Sequence, residues 1–155
     1  MAGLELKVPP PLVALGCALV MKGIALLVAG DDARGDWPVL RFVAVALVLA
    51  GLTIDVVGVW SFRRARTTVN PLKPANSSAL VTSGIYGLTR NPMYLGMAML
   101  LAGWAAWLGT TWALAGVAAF IAWITRFQIV PEERALARLF GTEYDAYRAR
   151  VSRWI

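Results

Sequence analysis

The chain has 155 residues, of which 59% are apolar and only 15% charged, and its mean hydropathy is +0.63. A soluble domain carries about a quarter charged residues, so this balance excludes a disordered protein and argues against a water-soluble enzyme. Fifteen Lys and Arg against nine Asp and Glu leave a net charge of +6. The basic residues flank apolar runs, which points to membrane lipid as the partner and not to nucleic acid. The chain has no histidine, which removes His-based catalytic dyads, His-ligated haem and His-containing zinc sites. The single Cys17 excludes an intramolecular disulfide and a thiolate cluster, so no metal centre is expected.

Four apolar stretches predict an all-α integral membrane protein with about four transmembrane helices in one membrane domain. The first covers about residues 11–29 and the second about 39–62. The third and fourth, near 93–108 and 111–130, meet at Gly109-Thr110 and read as a tight helical hairpin. Crossing the hydrocarbon takes about 20 residues of helix, so the third is short. The first run exceeds the roughly 7–15 apolar residues of a secretory signal and is read as a span. Lys22 and Asp55 fall inside the first two spans, where a charge costs about 2.5–3.5 kcal/mol on insertion scales. Each should therefore face protein or water, either as a mutual ion pair or as the polar lining of a cavity.

The basic residues divide unevenly between the two membrane sides. Lys7, Arg63, Arg64, Arg66, Lys73, Arg90, Arg126, Arg134, Arg138, Arg148, Arg150 and Arg153 fall on one side, against Arg34 and Arg41 on the other. This asymmetry predicts that both termini face the cytoplasm, and the compactness of the chain points to a bacterial source, hence to the inner membrane as the expected location.

The connection between the second and third spans, about residues 63–91, carries Pro71, Pro74, Gly84 and Gly87. Leu80, Val81, Ile85 and Tyr86 make it too apolar for a floppy linker, so it should be ordered by packing. Asn91 before Pro92 suits a helix start, with the amide as the cap. Gly96 and Gly103, among alanines, permit close helix approach. Pro131 is placed to open a new helix, and Glu132 and Glu133 complement the positive end of its dipole. Leu136, Phe140, Tyr144, Tyr147 and Val151 recur every three or four residues, with arginines outside that stripe. This pattern predicts a C-terminal amphipathic helix on the inner leaflet, with a break near Gly141 and Trp154 as an interfacial anchor.

At two blocks the sequence resembles a known family. The strings 80–86 (Leu-Val-Thr-Ser-Gly-Ile-Tyr) and 90–96 (Arg-Asn-Pro-Met-Tyr-Leu-Gly) form the first; Pro131-Glu132-Glu133 with Phe140-Gly141, Tyr144, Tyr147 and Val151 form the second. Together they resemble the superfamily of isoprenylcysteine carboxyl methyltransferases and phospholipid N-methyltransferases, over about residues 66–155. The resemblance implies an S-adenosylmethionine-dependent methyltransferase acting on a lipophilic acceptor, either an isoprenoid or prenylcysteine-like carboxylate or a phospholipid amine. It divides the chain into two N-terminal spans (1–62) and a part that binds the cofactor (63–155). It also implies that Ser78, Ala79, Leu80, Val81, Tyr86, Asn91, Pro92, Met93, Tyr94, Glu132 and Glu133 hold the cofactor. Asn91 stands where the isoprenylcysteine branch has histidine and the phospholipid branch has asparagine. Gln128 stands where the first branch has a substrate-side arginine, with Arg126 two residues earlier, so these two are the candidate acceptor-binding residues.

The residues alone leave other roles open. Tyr94 suits an interfacial anchor as well as a ligand, Glu132 a dipole-neutralising residue, and Arg126 a snorkelling arginine at the end of a span. A small four-helix transporter or an assembly subunit is the competing class, with Asp55 as its strongest support. Oligomeric state is left open by the small residues of the spans.

Overall fold

The computed structural model describes residues 4–28, 38–66 and 77–155. Arg34 and Lys73, counted above, lie outside the described residues. Among the described residues the secondary structure is helical throughout, without strands. The long helices are α1 (Pro10–Val28), α2 (Pro38–Arg64), α3 (Pro92–Leu108), α4 (Leu114–Ile124) and α5 (Val130–Arg150). Short 3-10 turns at Gly84–Gly87 and Thr111–Ala113 precede α3 and α4. Three helical stretches, Pro10–Val28, Pro38–Arg64 and Thr111–Arg150, are long and apolar enough to cross a membrane. At 17 residues, α3 is a shorter apolar helix of about 25 Å.

The hairpin between α3 and α4 turns at Gly109, whose φ of 66° is the left-handed conformation that favours glycine. Its N–H closes α3 on the carbonyls of Ala105 and Ala106, both at 3.2 Å. One face of α3, with Tyr94, Ala98, Leu101 and Ala105, packs with Met21 of α1 and with Phe120 and Ile124 of α4. The opposite face lies on α2 through glycines. A Cβ added at Gly103 would sit 2.8 Å from the Ala44 carbonyl, and one at Gly51 would sit 2.7 Å from the Gly96 carbonyl. Lipid tails are as apolar as the helix surfaces, so such backbone-to-backbone approach is what holds membrane helices together.

Pro131 does not open a separate helix as expected. The chain stays helical from Leu114 to Arg150 through a π turn at Thr125–Ile129, where the Val130 N–H reaches back to the Thr125 carbonyl. Pro131 lacks an N–H for the carbonyl four residues earlier, that of Phe127. The N–H of Leu6 takes that carbonyl instead, at 3.0 Å. The break near Gly141 is present as a kink, with φ 47° and ψ −122°. Tyr144, Tyr147 and Val151 of the α5 stripe pack together and against Leu80 of the connection. Trp154 is half-buried, packs on the main core and donates its indole N–H to the Thr125 hydroxyl at 3.3 Å, a tertiary contact where an interfacial anchor was expected.

Replacing Gly96 with alanine should destabilise the protein by roughly 1–3 kcal/mol, because the new methyl group would overlap the Asp55 carboxylate and lie 2.8 Å from the Gly51 carbonyl. Thermal unfolding in detergent, followed by size-exclusion chromatography, measures this as a lowered midpoint. A midpoint equal to that of the wild type would show that α2 and α3 are not in backbone contact here.

Candidate active site

The end of the molecule where α3 begins gathers the two sequence blocks. Pro92 opens α3 and is fully buried, and Tyr94 in its first turn is 6% exposed. The Tyr94 hydroxyl donates to Glu132 Oε1 of α5 at 2.5 Å, across 38 residues of sequence. Tyr94 is therefore buried and bonded, as an interfacial anchor would not be, while Glu132 points into the protein and not along the helix axis to solvent. Tyr86, in the 3-10 turn, is 5% exposed. Its carbonyl accepts the Tyr147 hydroxyl at 2.7 Å, and its ring meets Phe62 edge-on at 5.2 Å. Its own hydroxyl is buried without a partner among the described residues. Burial foremost, then Tyr147, Glu132 and Asp55, hold the Tyr86 phenol above its usual range. Met93 and the Tyr86 hydroxyl both approach Gly58 of α2, where a Cβ would stand 2.8 Å from the Met93 Cγ.

The two adjacent glutamates have different roles. Glu132 faces Tyr94, whereas Glu133 holds Arg153 in a paired contact at 2.9 and 2.7 Å and also meets Arg90 at 3.1 Å. The C-terminal residues are thereby laced onto the start of α3. Arg90 donates its N–H to the Ser152 carbonyl at 3.0 Å, and the Asn91 amide donates to the Arg153 carbonyl at 2.9 Å. Asn91 thus does not cap α3 with its side chain: the tail carbonyl has captured the amide, and the Asn91 N–H turns to the Thr89 hydroxyl at 3.2 Å. With no side-chain cap, the first-turn N–H groups of Met93 and Tyr94 remain at a positive helix end. In the connection, the Ser78 hydroxyl donates to the Arg66 carbonyl at 3.3 Å, Leu80 packs against the cluster of Tyr144, Tyr147 and Val151, and Val81 is buried. Ala79 is half-buried beside them.

At the π turn, Arg126 and Arg134 converge on Glu5, with Arg126 at 2.8 Å. The Arg126 hydrogen bond, followed by Arg134, holds the Glu5 carboxyl below its usual range against the opposing effect of burial. The Gln128 side-chain nitrogen donates to the Val8 carbonyl at 2.6 Å, which leaves its buried carbonyl oxygen unpaired among the described residues. A segment before α1, residues 5–8, therefore straps the π turn. The contacts of Glu5 and Val8 and the Arg153–Glu133 pair are not legible in the sequence. Glu5, an acid ahead of the first span on a side rich in arginine, was the available signal. Lys22 is exposed on α1 and Asp55 faces α3, so the two do not form the ion pair considered above.

The unpaired Tyr86 hydroxyl, the uncapped start of α3 and the Glu132 carboxylate suit a ligand carrying both a carboxylate and N–H or O–H donors. Among the described residues, side chains able to hold a metal ion do not cluster.

Substituting Arg153 with alanine should loosen this end of the protein at a cost of about 1–3 kcal/mol, because Glu133 loses its paired partner. Hydrogen–deuterium exchange should quicken at residues 89–94 and leave α1 unchanged. Unchanged exchange at 89–94 would mean that the tail does not order the start of α3.

The profile described as phospholipid methyltransferase matches residues 39–143. An uncharacterized protein of Haemophilus influenzae is 44% identical to this chain over 63 residues, which are 41% of the chain and the whole of that protein. No solved structure matches. The family match spans α2, the connection, the α3–α4 hairpin and Glu132, which are the parts that form the site, so the chain belongs to the phospholipid methyltransferase family and membership implies methyl transfer to a lipid-like acceptor.

Proposed function

We propose that this protein transfers a methyl group from S-adenosylmethionine to a lipid acceptor at the cytoplasmic face of the membrane. The Tyr94–Glu132 hydrogen bond carries this reading. It draws the α3 block and the acidic block into one partly buried place, beside an unpaired tyrosine and an uncapped helix start. The donor supplies, when bound, a methyl carbon on a leaving group that is already activated. The second Glu132 oxygen is suited to accept from its ammonium or ribose hydroxyls, and the N–H groups of Met93 and Tyr94 to hold its carboxylate. Tyr86 and residues Ser78, Ala79, Leu80 and Val81 close over it, with Asn91 and Pro92 setting the start of α3. Glu133 contributes indirectly, by tying Arg90 and Arg153 to that start.

In this reading α3 is a fourth, short span, and both termini lie on the cytoplasmic side with the excess of arginine. Contact of the segment before α1 with the π turn, and of the tail with Asn91, supports placing the termini at one end. The acceptor enters sideways from the bilayer toward Gln128, and Arg126 meets an anionic part of it by releasing Glu5. The protein then has to align the two reactants and exclude water, which can supply on the order of 7–11 kcal/mol of the barrier.

Titration calorimetry with S-adenosylhomocysteine on detergent-purified protein tests the site. Wild type should bind, and Glu132→Ala should weaken binding by about tenfold or more, or about 1.4 kcal/mol. Absence of binding by wild type would remove the assignment, and unchanged binding by the variant would move the site elsewhere.

A further inference from the structure

Asp55 is the one acidic side chain of α2, and it takes part in none of the contacts described for the site. Its Oδ1 is closed off from solvent and has no hydrogen-bond partner among the described residues. The carboxylate rests on the α3 backbone at Gly96, where a Cβ would overlap it. One turn nearer the start of α3, Gly58 faces the Tyr86 hydroxyl, which lies 3.8 Å from where a Cβ would be. Two unpaired polar groups, a carboxylate and a phenol, therefore share one α2–α3 seam. Gly58 also meets Met93 of the first turn of α3, where a Cβ would stand 2.8 Å from its Cγ, so the seam reaches the start of α3 from the α2 side. A carboxylate kept inside a span without a counter-charge costs about 2.5–3.5 kcal/mol on insertion scales, an expense typical of functional positions.

Building on the methyl-transfer reading, we propose that Asp55 is the proton acceptor for a cationic amine on the lipid, with the Tyr86 hydroxyl one turn away along the same seam. An ammonium brought to the side of the Asp55 carboxylate that does not rest on Gly96 loses one proton: the N–H bond breaks, its electron pair stays on nitrogen, and the carboxylate becomes a neutral carboxylic acid. The freed pair makes nitrogen a nucleophile. The carboxyl afterwards returns the proton to water at the nearer membrane face. A carboxylate acceptor would meet like charge here, so the seam also selects against anionic nucleophiles.

Asp55→Asn tests the role, because asparagine keeps the shape that rests on Gly96 but cannot take the proton. Wild type and variant are placed in nanodiscs of phosphatidylethanolamine and phosphatidylcholine. S-adenosylhomocysteine binding is measured by calorimetry and methylated lipid by mass spectrometry across pH. The variant should bind S-adenosylhomocysteine within about twofold of wild type, which shows that it is folded. Its methylation should fall by about 100-fold near neutral pH and recover as alkali deprotonates the amine, while wild type gains far less from alkali. A wild-type rate in the variant, or a deficit equal at every pH, would overturn the role while leaving methyl transfer standing. Loss of S-adenosylhomocysteine binding by wild type itself would remove both.

Discussion

A phenol–carboxylate hydrogen bond between helices joins the two sequence blocks of the candidate site, and the rest of the architecture serves its formation. Tyr94 and Glu132 are 38 residues apart, on opposite arms of a hairpin and the helix that follows it. In a low-dielectric setting such a bond is strong when made and costly when left open. To make it, the final helix must continue past a proline without veering off. The π turn at Thr125–Ile129 provides that continuity, and the strap before α1 takes the carbonyl that the proline leaves unused.

The other side of α3 is governed by a different constraint. Hydrocarbon provides no hydrophobic drive for helices to associate, so α2 and α3 approach through Gly51, Gly96 and Gly103 until backbone touches backbone. The same economy of side chains leaves room at Gly58 for Met93 and the Tyr86 hydroxyl. It also lets Asp55 reach the α3 backbone. The packing of the spans and the polarity of the site are thus consequences of the same missing methyl groups.

The apolar helices were legible because apolar runs need no partner to declare themselves: Pro10–Val28, Pro38–Arg64 and Pro92–Leu108 fall within about two residues of the stretches read from composition. The Gly109 turn was legible for the same reason, since it interrupts two such runs. Side chains with a choice of partner were harder. Asn91 looks like a cap in isolation, and only the returning tail shows that a carbonyl of Arg153 claims its amide. Adjacent Glu132 and Glu133 read alike, yet successive residues on a helix point about 100° apart, so one meets Tyr94 and the other Arg153. The π turn left no signal, because Pro131 reads locally as a helix start.

The π turn carries a further consequence, which concerns rotational phase. One extra residue wound into a helix rotates everything beyond it by about 100° relative to a regular α-helix. Glu132, Glu133, Tyr144 and Tyr147 all lie beyond it and inherit that offset together. The five residues Thr125–Ile129 therefore act as an angular setting for everything from Val130 to the end of the chain. Lengthening or shortening them by a single position would swing every downstream contact to another side of the helix at once, so this stretch tolerates exchange of side chains far more readily than a change of length.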